Sequence, residues 1–400
     1  MSIRFPTPAA VALAAAVLSA CDTAPTEPTL SSLSSVALQA PPVTLEWQLQ
    51  ARTLVAQRSM SPLAAARLFA GTSLAALRAV ETVDAATGAP AGSRANGYGP
   101  GGRSRYEARR GAVAGASARV LAWFVPVAAT DLEAMVASQG EAGPGNVHPD
   151  FTRGVEIGRA AADDVIAHLM SDGFTAPWTG SVPVGPGLWT TSVLPPAGVM
   201  LGQVTPWFMT TGSQFRPAPP PAYLSPAFNA DLADVSAIAA GLTPTQRATA
   251  LAWAYGGGTY TPVGYWNELA STYVAADGLD EAEAAKVFAV MGPAVFDALI
   301  AAFEAKYYYW MLRPHQANPA IVPVFPVPNY PAYPSGHGSV SGASAHVLAH
   351  FFPQRATELN ALRDDAAMSR IYAGIHYFFD MTAARTMSEQ VADLVIESVQ

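Results

Sequence analysis

Lysine is almost missing from this chain: in 400 residues only Lys286 and Lys306 carry an ammonium group. Charged side chains make up 13% of the sequence and the formal net charge is −8. No basic face is therefore available to follow a nucleic-acid backbone. An acidic surface also mildly repels polyanions, so a phosphate-like ligand has to be captured by locally placed positive charge. Cysteine occurs once, at Cys21, which excludes a disulfide within the chain. Alternating Val, Ile and Thr runs are scarce, which argues against half-buried strands. Beyond the amino terminus no apolar stretch looks free of charge for long enough to cross a bilayer. What the chain has in quantity is apolar bulk, 50% of residues, with alanine runs at 64–66 and 160–162 that favour helix. It also has 34 prolines and 32 glycines. The expectation is an all-α protein of helical bundles with long Pro/Gly-rich loops, in one large domain or two intimate halves.

The first residues read as a processing signal. Arg4 supplies a positive start, Ala9 to Leu18 an apolar stretch too short to be a stable membrane span, and Leu18-Ser19-Ala20-Cys21 closes it. This ending resembles a bacterial lipobox, in which the cysteine becomes the lipidated first residue. The expected organisation is a signal over residues 1–21, a Pro-, Ser- and Thr-rich tether over 22–42, and a helical domain over 43–400. The expected location is that of an exported bacterial lipoprotein on the periplasmic or cell-surface side of a membrane, soluble and held there only through lipid on Cys21.

Local signals place several helices. One spans Leu45 to Met60. Ser61-Pro62 gives a cap and a first-turn proline for a second, ending near Ala86. Pro126 divides the pattern from Ala112 to Ser138. Thr152 to Met170 is amphipathic. Helices also cover Asn229 to Ala240, Thr243 to Tyr255, and Glu281 to Leu312 after a cap at Asp280. The proline-crowded stretch 172–226 carries Trp178, Trp189, Trp207 and Phe215, which need burial. It reads either as a wall of a site or as a cover for the bundle.

Three clusters near the carboxyl terminus hold the chemistry. Lys306 and Arg313 are seven residues apart, so on one helix they would differ by only ~20° and share a face. Within so apolar a segment they call for a compensating anion, and Arg313 offers a fork that matches a pair of oxygens. Ser335, Gly336 and His337 precede a helical pattern from Ser339 to Phe351, at a helix amino terminus that favours negative charge. His337 can exchange a proton with a substrate. Ser369, His376 and Asp380 recur at seven and four residues, which on one helix is a single stripe. There Asp380 could fix the tautomer of His376. Arg370, six residues before His376, faces poorly on such a helix.

In order and spacing these residues resemble the superfamily of type-2 phosphatidic acid phosphatases and vanadium-dependent haloperoxidases. Its pattern is Lys, six residues, Arg-Pro; then Pro-Ser-Gly-His; then Ser-Arg, five residues, His, three residues, Asp. The resemblance is strongest over residues 281–400 and leans towards the haloperoxidase branch. It implies a mainly helical fold. It also implies that Lys306, Arg313, Ser335, Gly336 and Arg370 bind a vanadate or phosphate, that His337 is the acid/base, and that His376 bonds to vanadium or phosphorus. Five residues before the motif serine, bromide-oxidising relatives tend to carry His and a chloride-oxidising relative Phe. Tyr330 stands there, a halide-pocket candidate that matches neither.

The leading expectation is vanadate held on His376, oxidising halide with hydrogen peroxide. The alternative is a metal-free acid phosphatase that acts on phosphate esters through a phospho-His376 intermediate. A third reading is a lipoprotein that captures an oxyanion without turnover. Self-association is left open. His346 and His350 lack a third zinc ligand, and Gly256 to Gly258 lack the lysine of a phosphate loop.

Overall fold

The computed structural model describes residues 41–88, 102–140 and 147–399. The expected signal, Cys21 and all but the last two residues of the expected tether lie outside the described residues. Thirteen α-helices are found among the described residues, and no strand; one isolated bridge joins Leu188 to Met311. In order they are α1 Val43–Gln57, α2 Pro62–Thr87, α3 Gly102–Phe124, α4 Ala129–Gly140, α5 Pro149–Ser171, α6 Pro226–Ala240 and α7 Pro244–Ala252. They continue as α8 Thr261–Ala276, α9 Glu281–Tyr309, α10 Pro314–Ala317, α11 Gly336–Phe351, α12 Ala356–Tyr372 and α13 Phe378–Ser398.

The caps explain why these segments start where they do. Ser61 Oγ accepts the Ala64 amide, and Thr243 and Asp280 each form a capping box with Gln246 and Glu283. Pro126 separates α3 from α4 through a short 3₁₀ turn. Pro293, by contrast, is carried inside α9.

Helix α9 is the shared wall of two packed groups. It lies against α2 in the amino-terminal half and against α11 and α13 in the carboxyl-terminal half. Both α2 and α9 contain windows long and apolar enough to cross a membrane, contrary to the expectation from sequence, but those windows are 83% and 94% buried inside the protein. Their apolarity serves the core. Helices α3 and α5 meet backbone to backbone because glycines face each other: a Cβ on Gly115 would lie 2.3 Å from the Val155 carbonyl oxygen, and one on Gly158 2.1 Å from that of Ala112.

The excursion over residues 172–225 is tied to α9. The buried carboxylate of Asp297 accepts the amides of Trp207, Phe208 and Met209. Arg216 pairs with Glu304. Trp189 is fully buried, whereas Trp178, Trp207 and Phe215 are half-buried. Of this stretch only Ala197 reaches the cavity beside His376 described below, so towards that cavity it chiefly covers the bundle.

Candidate oxyanion site

Lys306 sits in the last turn of α9. There Trp310, with φ +51°, ends the helix and turns the chain into an extended run to Arg313. Lys306 and Arg313 are therefore not on one helix, as the spacing alone had implied. A bulky residue in the left-handed region leaves no readable stop signal. The Lys306 ammonium is fully buried and donates to the carbonyls of Pro331 (2.9 Å) and Ala332 (2.8 Å). Burial, reinforced by the Arg313 charge, holds its pKa well below the usual ammonium range.

Arg313 caps α10 and is also fully buried. Its Nε donates to the Tyr330 carbonyl (3.1 Å) and one Nη to the Ile375 carbonyl (2.7 Å). That same Nη lies 3.0 Å from His376 Nε2. Its second Nη is buried without a protein partner.

The third cluster is also broken by a turn rather than laid on one stripe. Helix α12 stops at Tyr372, Gly374 turns at φ +71°, and α13 begins at Phe378. Ser369 and Arg370 thus end one helix, His376 lies in the connection, and Asp380 lies in the first turn of the next. This break removes the poor facing between Arg370 and His376. Asp231 of α6 accepts the amides of Phe378 and Phe379 and so seats the start of α13.

His376 is buried between two fixed partners. Its Nδ1 is 2.7 Å from Asp380 Oδ2, and its Nε2 faces the Arg313 Nη. A guanidinium only donates, so Nε2 must accept; the proton is then on Nδ1 and points at the carboxylate. The lone pair needed for attack or for binding a central atom is thereby placed on Nε2. Burial, followed by the charges of Arg313, Lys306 and Arg370, holds the ring neutral. Burial also raises Asp380, to about 7, against the pull of the Tyr377 amide, Lys306 and Arg313.

Ser335 caps α11, its Oγ accepting the Gly338 amide at 3.1 Å. Gly336 opens the helix, where the first amides have no intrahelical acceptor. A Cβ there would meet only Phe303, at 3.9 Å, so the missing side chain leaves space in front of the amide. His337 is half-buried, and its Nε2 lies 2.9 Å from the Trp253 carbonyl. A carbonyl cannot donate, so Nε2 carries the proton and Nδ1 is the acceptor. Burial, then the Arg370 charge, keeps this ring neutral too.

Arg370 is buried, donates to Ser369 Oγ (2.9 Å) and the Ala250 carbonyl (3.0 Å), and lies 5.0 Å over the Phe325 ring. Burial lowers its pKa to about 10. Tyr330 packs under both other cations, with Lys306 Nζ 4.9 Å and the Arg313 guanidinium 5.1 Å from its ring centroid.

His376, His337, Arg370, Gly336 and Tyr330 border one cavity of about 610 Å³. The structure therefore brings the cluster residues together around His376. Two arginine cations, the Lys306 amine and one carboxylate surround an imidazole lone pair, and one buried Arg313 nitrogen has no protein partner. That donor set fits a tetrahedral oxyanion.

Residues 286–400 match the model of the PAP2 superfamily. The carboxyl-terminal segment is similar to that superfamily. Curated relatives include the vanadium-dependent bromoperoxidases of Corallina officinalis and Corallina pilulifera, each 32% identical over 97 residues. That overlap is 18% of this chain and spans only 16% of those proteins' length. The helical fold is shared with solved structures over most of the chain. A bacterial vanadium-dependent iodoperoxidase superposes with a TM-score of 0.71 at 22% identity, covering 89% of this chain and 96% of that one. An apo-type bacterial vanadium-dependent chloroperoxidase gives 0.65 at 18%, covering 84% and 92%. The PAP2-type segment contains every cluster residue named above.

Sequence reasoning missed three contributors. Ala250 and Trp253 act through backbone carbonyls at the end of α7, which no side-chain pattern reveals. Asp231 is remote in sequence from the turn it holds. His346 pairs with Asp393 at 2.6 Å, away from any metal cluster among the described residues.

Proposed function

We propose that this protein is an oxyanion-dependent haloperoxidase-type enzyme, in which vanadate is held on His376 and hydrogen peroxide oxidises a halide. The carrying observation is His376 itself: a buried, neutral imidazole whose Nε2 lone pair is set by Asp380 on one side and an arginine fork on the other. The unpartnered Arg313 Nη, the open Gly336 amide and the spare N–H of Lys306 would take the oxygens, with Arg370 and Ser335 beside them. When bound, vanadate would supply Lewis-acid activation of peroxide. His337 favours this reading over a phosphatase. With Nε2–H committed to Trp253, its neutral ring presents Nδ1 as a proton acceptor, which suits deprotonation of a hydroperoxide.

A second reading remains, because the same lone pair on His376 suits attack on phosphorus. In that case the protein is a metal-free acid phosphatase acting on phosphate esters. Two neutral imidazoles beside the anion cradle argue against a third role as a non-catalytic receptor. The test is paired. Protein prepared without vanadate is assayed for phosphate-ester hydrolysis, then for peroxide-dependent halide oxidation after vanadate is added. Activation of the second by vanadate is expected; hydrolysis that vanadate only inhibits would favour the phosphatase. We also propose that lipid on Cys21 anchors the mature protein at an exported face of a membrane. Intact mass of the membrane-extracted chain tests this, with loss of the lipid mass expected in Cys21→Ser.

A further inference from the structure

Arg370 and His337 each need a fixed acceptor, and both take a backbone carbonyl from the end of α7. Ala250 accepts an Arg370 Nη at 3.0 Å, and Trp253 accepts the His337 Nε2–H at 2.9 Å. The last carbonyls of a helix have no intrahelical donor, which leaves them open to such partners. The chain beyond gives this helix end little support. Tyr255 follows at φ +40°, and a Cβ on Gly256, Gly257 or Gly258 would meet nothing within 4 Å. The anchor is the Trp253 side chain. Its buried indole packs edge-on against Tyr265, with ring centroids 4.9 Å apart, and its Nε1 donates to Asp365 Oδ2 at 2.7 Å. An indole nitrogen only donates, and a carboxylate acceptor strengthens the bond. Asp365 lies on α12, which packs against α7 and also carries Arg370.

We propose that Asp365 is a positioning residue for His337. It holds the Trp253 indole, the indole fixes the carbonyl at the end of α7, and that carbonyl keeps the His337 proton on Nε2 and the lone pair on Nδ1. Asp365 is itself exposed and acts only through the tryptophan. That His337 then takes a proton from a reactant rests on the enzyme reading above; its tautomer does not. Helix α7 stands outside the segment 286–400 that matches the superfamily, so the other part of the chain sets the proton position of a residue within it.

Nitrogen-15 NMR of histidine-labelled protein prepared without vanadate reads the tautomer, with the His337 signals assigned by their absence from His337→Gln. The parent should show a protonated Nε2 and an unprotonated Nδ1. In Asp365→Ala, and in Trp253→Phe, which keeps a ring in place, the two signals should move towards each other as the tautomers exchange. Asp365→Asn retains an acceptor oxygen and should keep the parent pattern. With vanadate, peroxide and iodide supplied, kcat should fall roughly tenfold in the first two variants, part of the roughly 10²–10⁴-fold that acid–base catalysis contributes, while KM for peroxide changes little. The parent tautomer in both Asp365→Ala and Trp253→Phe overturns the proposal, even if both proteins are less stable. A shift common to all three variants shows that the Asp365 oxygen is not what holds the indole, and overturns it equally. Shifts confined to the first two, with no iodide oxidation by the parent, uphold the positioning and sink the enzyme reading instead.

Discussion

Replacing Arg313 with lysine separates geometry from charge. The substitution keeps one positive charge in the same buried place, so a site that works only as a cationic patch should bind oxyanions as before. The structure argues otherwise. Arg313 holds three acceptors at once, the Tyr330 carbonyl, the Ile375 carbonyl and His376 Nε2, and keeps a further Nη unpartnered. A lysine tip is shorter and cannot span acceptors spread around a planar fork. Each hydrogen bond from a charged donor contributes about 1.5–3 kcal/mol. Losing one of those that fix His376 or grip the anion should therefore weaken binding roughly tenfold to a hundredfold. The Ile375 carbonyl also loses a donor, so a parallel fall of about 1–3 kcal/mol in stability is expected. Calorimetric titration with orthovanadate and urea unfolding of the same preparation measure both. Vanadate affinity within a factor of two of the parent would refute the fork argument.

Three further outcomes are expected. Asp380→Asn removes the charge that orients His376 through Nδ1, and vanadate affinity should fall about 10–100-fold with the fold intact by circular dichroism. Gly158→Ala sets a methyl group 2.1 Å from the Ala112 carbonyl. Forcing α3 and α5 apart should cost about 1–3 kcal/mol, more than the ~1 kcal/mol that alanine gains as a helix former, so a raised urea midpoint would contradict the close-packing account. Asp297, whose pKa burial lifts from 3.8 to about 6, binds protons in the folded state that the unfolded chain releases near pH 4. Stability should thus decline by up to about 3 kcal/mol between roughly pH 4 and 6, and Asp297→Asn should flatten that part of the denaturant-midpoint profile.

Signals that act within a few residues were legible in the sequence. Ser61-Pro62, Thr243-Pro244 and Asp280 each announce a helix start, and each caps one. The cluster spacings located the site because scarce cations stand beside Ser, Gly and His. What was not legible depends on backbone shape or on partners distant in sequence. The turns at Trp310 and Gly374 break what spacing alone reads as continuous helical stripes. Helix α8 follows a glycine run and starts without a side-chain cap, after Tyr260 and with Thr261 at φ +67°, so its first-turn Pro262 was the one local start signal. The membrane-like apolarity of α9 arises from burial on all sides, and only its neighbours α2, α11 and α13 make that visible. The clamp of Arg370 and His337 by carbonyls of residues 250 and 253 has no trace in residue type.

The most direct measurement is the stoichiometry and affinity of orthovanadate for the protein, compared with His376→Ala. One equivalent per chain should bind the parent. The alanine variant, keeping Lys306, Arg313 and Arg370 but lacking the Nε2 lone pair, should bind at least a hundredfold more weakly, roughly the loss of 3 kcal/mol. Equal binding by the two proteins would contradict an oxyanion centred on that imidazole.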